Sequence, residues 1–162
     1  MTSAPRLAPE RFTSEEMRAW KALRLMSRQL EAHLARELAR TSSLSMQDYD
    51  VLSSVASLPE HRWPAKSLMH HLQWSYSRLS HHLDRMEKRA LVTRERARQG
   101  TGVDVVITEA GMAAIREATG GHLSEVRRTF LNRLGDGDAS VITRLSDDVI
   151  AGLPGPTTER GW

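Results

Sequence analysis

The stretch WSYSRLSHHLDRMEKR, residues 74–89, decides how the rest of the chain is read. At ~100° per residue, Tyr76, Leu79 and Met86 fall beside Leu83 on one flank. Ser77, Arg78, His81, Arg85 and Lys88 fall on the other. The segment predicts a helix capped by Ser75, with a greasy flank against protein and an outward flank of donors, mostly cationic. Arginine can bond two acceptors on a guanine edge, and serine and histidine can reach bases or phosphates. A helix with such a flank fits the major groove of duplex DNA. The plainer reading is a solvated basic helix, and the neighbouring segments decide between the two.

Toward the N-terminus, KSLMHHL (66–72) predicts a short helix and QWS a tight turn. A short helix, a turn and a longer basic helix stand in helix-turn-helix order. Toward the C-terminus, LVTRERARQGTGVDVVIT (91–108) changes period. Val92, Val103, Val105 and Ile107 flank the glycine-bearing tip QGTG, which predicts a β-hairpin. With Arg94, Arg96 and Arg98 it makes a wing that can reach phosphates or a minor groove. The charge agrees. Residues 60–100 hold nine Lys/Arg against four Asp/Glu, an excess of five, in a chain whose net charge is only +3. Such a block suggests one surface facing a polyanion.

Farther out, Thr13 and Glu16 form a capping box that opens a long helix reaching about Arg40. Met17, Trp20, Leu23, Leu30, Leu34 and Leu38 recur along it at helical steps. A helix that long cannot bury its own face in a domain of this size, so a second copy is expected to cover it. Ser45 and Asp48 repeat the cap; Tyr49, Leu52, Val55 and Ala56 give the next apolar face, and Pro59 closes it. EHRWPAK is a connector with one extended pair around Trp63. Thr108 caps a helix over 109–133, bent at Gly120-Gly121, and 139–153 is a last amphipathic helix. Residues 1–12 read as a flexible arm and 154–162 as a disordered tail.

Several function classes drop out. There is no cysteine, so disulfides, thiol catalysis and Cys-based zinc sites are excluded. No apolar run approaches the ~18 residues of a membrane span, and the N-terminus lacks a signal-peptide core; a cytoplasmic location is expected. G-x-S-x-G, H-E-x-x-H and the phosphate loop are all missing, so neither an enzyme nor a cofactor is expected. His81 and Asp84 could exchange a proton, but they sit on an exposed helix without a pocket. His70, His71, His81 and His82 invite a metal, yet no H-x-x-x-H pair exists, and His33 with Glu37 makes at most half a site. The expected places are His81 toward DNA, His82 flanking the core, and His70 and His71 at the end of the short helix. Two alternatives stay open: a winged helix used for protein–protein contact, and a metal-responsive regulator.

LSMQDYDVL (44–52), SRLSHHLDRMEKRALV (77–92), the hairpin and ITEAG (107–111) stand in an order that resembles the successive blocks of MarR-type transcriptional regulators, over roughly residues 13–150. The resemblance implies a mainly α protein: a winged helix-turn-helix with a small β-hairpin wing, and N- and C-terminal dimerisation helices. In domain terms, 13–44 and 109–153 dimerise and 45–108 binds DNA. The implied function is sequence-specific binding of double-stranded DNA by a homodimer on a pseudo-palindromic operator, as a repressor that a small-molecule effector can release. The expected DNA-binding residues are Lys66, Ser67, Ser75, Ser77, Arg78, His81, Arg85, Lys88, Arg94, Arg96 and Arg98. Ser75, Ser77, Arg78 and His81 would lie at or near bases; Arg85, Lys88, Arg94, Arg96 and Arg98 would meet phosphates. Lys66 and Ser67 open a helix whose N–H groups can hold a phosphate. Trp20, Arg24 and Tyr49 would adjoin an effector. Two departures stand out. Thr101 occupies the wing-tip position where the family often has a minor-groove arginine, leaving Arg98 to substitute. Ala90 stands where the family usually has glycine, which could alter the wing angle.

Overall fold

Four side-chain caps punctuate the chain where the sequence places them. Thr13 and Glu16 bond reciprocally, Glu16 Oε2 accepting from the Thr13 N–H at 2.7 Å and Thr13 Oγ1 from the Glu16 N–H at 3.1 Å. They open α1, Ser14–Thr41. Ser45 and Asp48 make the same box at the head of α2, Met46–Ala56. Ser75 caps α4, Tyr76–Lys88, and Thr108 caps α5, Glu109–Thr129. Between α2 and α4 lie a 3-10 turn (Pro59–His61), the strand β1 (Arg62–Pro64) and the short helix α3 (Ala65–Leu72). The hairpin strands are β2 (Val92–Arg96) and β3 (Val103–Ile107), and α6 spans Asp138–Gly152. The computed structural model describes residues 12–98 and 100–153. The expected N-terminal arm, except for Phe12, and the expected C-terminal tail lie outside them. No helix among the described residues is long and apolar enough to cross a membrane.

The chain divides into two compact units, with the boundary inside α1 between His33 and Leu34. The first is the N-terminal part of α1, where Trp20, Leu23, Leu25 and Met26 are exposed. The second carries everything after it. Its core joins Leu38, Leu44, Val51, Leu52 and Val55 to Leu68 of α3, to Leu79, Leu83 and Met86 of α4, and to Val105, Ile107 and Ile115 beyond. The sheet is antiparallel, in the order β1-β3-β2, with Trp63 opposite Val105 and Arg94 opposite Val105 on the other side. The pair expected around Trp63 is therefore a third strand on the wing.

Two expectations change. α5 continues through Gly120 and Gly121 with helical backbone and ends at Thr129, and a separate 3-10 turn covers Leu131–Arg133. Two glycines weaken a helix but do not break it when its flanking turns are well formed. Tyr76 is 55% exposed instead of joining Leu83. Its angle on the wheel is right, but as the first residue of α4 it lies beyond the end of the apolar layer.

Gly111 carries a constraint that the caps do not announce. A Cβ there would stand 2.0 Å from the Leu91 carbonyl oxygen and 3.0 Å from Ile107 Cγ2. The start of α5 can close on the hairpin only because that position has no side chain. Thr108 Oγ1 completes the junction by donating to the carbonyls of Ala90 and Leu91.

Candidate nucleic-acid interface

Helix α4 is set by its two flanks. Leu79, Leu83 and Met86 are buried, with His82 beside them at 6% exposure. Ser77, Arg78, His81, Arg85 and Lys88 are exposed, as is Ser75. The structure thus separates the donors from the core as the periodicity requires. Ser75 also acts locally, its Oγ accepting from the Arg78 N–H at 3.3 Å. Gln73, at φ +54°, turns the chain from α3 into the cap. Lys66 and Ser67 are exposed in the first turn of α3.

Beneath the donor flank runs a buried polar network that the sequence does not reveal. Asp48 is 2% exposed. Its Oδ2 accepts from Arg89 Nη1 at 2.7 Å and from the Ser45 N–H at 2.9 Å. Arg89 Nη2 donates to the Ser43 carbonyl at 2.7 Å. His82 Nε2 stands 3.1 Å from Asp48 Oδ1, close enough for electrostatic attraction but not aligned as a hydrogen bond. Arg85 Nη2 lies 2.9 Å from His82 Nδ1. A guanidinium can only donate, so Nδ1 is the acceptor and the imidazole proton sits on Nε2, toward the carboxylate. Burial by itself raises the Asp48 pKa, but the nearby His82 N–H and the bonds from Arg89 and Ser45 outweigh it and hold the carboxyl well below its ordinary range. His82 also meets Trp74 edge-on at 5.4 Å, and the Arg78 guanidinium lies 4.3 Å over the Trp74 ring.

The three wing arginines are not equivalent. Arg94 is strapped to α4. Its backbone N–H and its Nε donate to Glu87 at 2.8 and 2.9 Å, and its Nη2 lies 2.5 Å from Asp84 Oδ1. The bond to Glu87, with Asp84 beside it, raises the Arg94 pKa. Arg98 pairs with Glu60, and its N–H reaches Asp104 Oδ2 at 3.4 Å. Arg96 is exposed and has no ion-pair partner among the described residues. Arg62 on β1 bridges Asp104 and Glu95 at 3.0 and 3.1 Å and so clamps all three strands.

The expected effector residues are divided between the two units. Trp20 and Arg24 line a groove on the first unit, with Arg24 5.7 Å over the Trp20 ring. Tyr49 belongs to the second unit and packs on His122 at 4.5 Å. No group of three or more His, Asp or Glu among the described residues could hold a metal ion.

No family model and no curated protein matches the sequence. Solved structures do. AbsC, a MarR family transcriptional regulator from Streptomyces coelicolor, shares 29% identity at a TM-score of 0.83, over 88% of this chain and 96% of that one. Sco3205, a MarR family regulator from the same organism solved in complex with DNA, shares 27% identity at 0.87, over 97% and 99%. This chain has the fold of these MarR family regulators. A MarR mutant from E. coli, complexed with operator DNA, agrees in fold at 16% identity and a TM-score of 0.73. Within the MarR-type frame the two departures acquire structure. Ala90 adopts φ +55°, the left-handed conformation that glycine takes without strain. Gly100 and Gly102, at φ +75° and +120°, flank the exposed Thr101 at the wing tip.

Proposed function

We propose that the chain is a sequence-specific double-stranded DNA-binding transcriptional regulator that acts as a homodimeric repressor. The observation that carries the reading is the division of α4. Ser77, Arg78, His81, Arg85 and Lys88 are exposed along one flank, while Leu79, Leu83 and Met86 anchor the other. The likeness to Sco3205, solved with DNA, supports the same reading. Residues 45–108 bind the duplex, with α4 in the major groove and Arg78 and His81 reading base edges. Arg85, Lys88, Arg96 and the start of α3 at Lys66 and Ser67 meet phosphates. Residues 13–44 and 109–153 join the two copies. In keeping with that, α6 exposes Val141, Leu145, Val149 and Ile150, an apolar face that a monomer would leave in water.

Base reading by Arg78 has a direct test. Arg78→Ala should cost about 1–3 kcal/mol per half-site on the operator and much less on random duplex, with relaxed preference at one base position. Competition binding on both DNAs measures it; equal losses on the two refute base reading by this residue.

A further inference from the structure

Two contacts of one imidazole ring decide what Arg85 can do. His82 is buried, and its Nδ1 accepts from Arg85 Nη2 at 2.9 Å. Its other nitrogen, Nε2, faces Asp48 Oδ1 at 3.1 Å. Arg85 is exposed and has no carboxylate partner among the described residues, so the ring is what fixes its guanidinium. That hold depends on one lone pair. Nδ1 accepts only while it carries no hydrogen. A proton taken from solvent onto Nδ1 makes both ring nitrogens donors. The Arg85 N–H then meets another N–H of like charge, the bond between them breaks, and the imidazolium keeps Asp48 as its counter-ion.

Few charged groups face the ring. Asp48 comes from α2, and Arg78, Arg85 and Arg89 come from α4; the cleft of about 570 Å³ that His82 lines holds no other charged side chain among the described residues. Asp48, held well below the ordinary carboxyl range, keeps its charge wherever a histidine titrates. It attracts a protonated ring, and the three guanidiniums repel one. Two of the three cannot yield. Arg89 is bonded to Asp48 and to the Ser43 carbonyl, and Arg78 lies 4.3 Å over the Trp74 ring. Arg85 is the one that can swing out into solvent.

We propose that His82 is a positioning residue whose proton sets Arg85: neutral, it presents that guanidinium to the duplex in a fixed pose, and doubly protonated it lets the side chain go and weakens binding. The duplex half of the proposal rests on the DNA-binding reading above; the hold on Arg85 does not. Binding then has to order a long, loose side chain, which costs about three- to tenfold in affinity per half-site.

His82→Asn and His82→Leu test this. The Asn amide oxygen lies where Nδ1 lies and accepts from Arg85 at every pH; Leu never accepts. Thermal unfolding checks that both variants fold, and the wild-type titration stands without them. The first readout is nitrogen NMR of the full chain without DNA, from about pH 5 to 8, following the His82 ring and Arg85 Nε. In wild type the two should shift with one midpoint, and Arg85 should stay fixed in both variants. A His82 ring that does not titrate in this range, or that titrates while Arg85 stays still, overturns the proposal. The second readout is affinity for a duplex that wild type selects from a random pool. Wild type should match His82→Asn above the His82 midpoint and fall about three- to tenfold per half-site behind it below, with His82→Leu weak throughout. His81 and His122 remain in all three proteins, so their titration cancels. Equal pH profiles for wild type and His82→Asn overturn the positioning role even though DNA is bound. Should wild type bind no duplex, the regulator reading fails, and the NMR titration alone decides the hold on Arg85.

Discussion

Two small residues at the base of the wing show how much a single Cβ can decide. Gly111 has no room for one, because the Leu91 carbonyl stands 2.0 Å from where it would lie. Gly111→Ala should destabilise the fold by roughly 3 kcal/mol or more, since overpacking against backbone cannot relax as a side chain would. Ala90 is the opposite case: it holds φ +55° with a Cβ in place. Ala90→Gly should stabilise by about 0.5–1 kcal/mol, read as a higher midpoint in urea at unchanged slope. Two titrating groups give the fold its acid limb. Burial lowers the His122 pKa from its ordinary value of 6.5, with Asp50 opposing the effect. The folded state favours its neutral form, so its contribution to stability is full above 6.5 and is lost as pH drops through the window below it. Asp48 is also depressed, and its contribution is present above 3.8 and lost as pH falls farther. Urea unfolding over a pH series should show the first loss flattened in His122→Gln and the second in Asp48→Asn. Identical pH profiles for wild type and variants would contradict these assignments.

The elements differ in how far the sequence foretells them. Thr13, Ser45, Ser75 and Thr108 act within three residues of themselves, so a linear reading finds each helix start. The buried flank of α4 follows from period alone, except at its first turn, where Tyr76 passes the edge of the core. What stays hidden is pairing over distance. Arg89 meets Asp48 across 41 positions and Arg98 meets Glu60 across 38, and composition records both as ordinary charges. The candidate site is altered accordingly: all three wing arginines look alike in sequence, yet only Arg96 lacks a local acid among the described residues. This yields a prediction about the wing. Arg96→Gln should reduce the salt slope of duplex binding by about one unit, and Glu60→Gln, which releases Arg98, should raise it. Arg94→Gln should chiefly loosen the wing from α4. Slopes that respond equally to Arg94→Gln and Arg96→Gln would contradict the distinction.

On the scale of the whole molecule, the proposed function calls for two copies. In the first unit Trp20, Leu23 and Met26 are exposed, and in the second α6 shows Val141, Leu145, Val149 and Ile150 to solvent. A stable monomer seldom leaves such runs uncovered. Leu145→Glu with Ile150→Glu should shift the protein toward monomer in light scattering and weaken operator binding, because each half-site then binds alone. The most direct measurement is selection of bound duplexes from a random DNA pool by the wild-type protein. A dimer with α4 in the major groove predicts enrichment of a pseudo-palindrome whose half-site centres lie about 34 Å apart, one helical turn or a multiple of it. Recovery of no preferred sequence, or of a single unrepeated site, would contradict it.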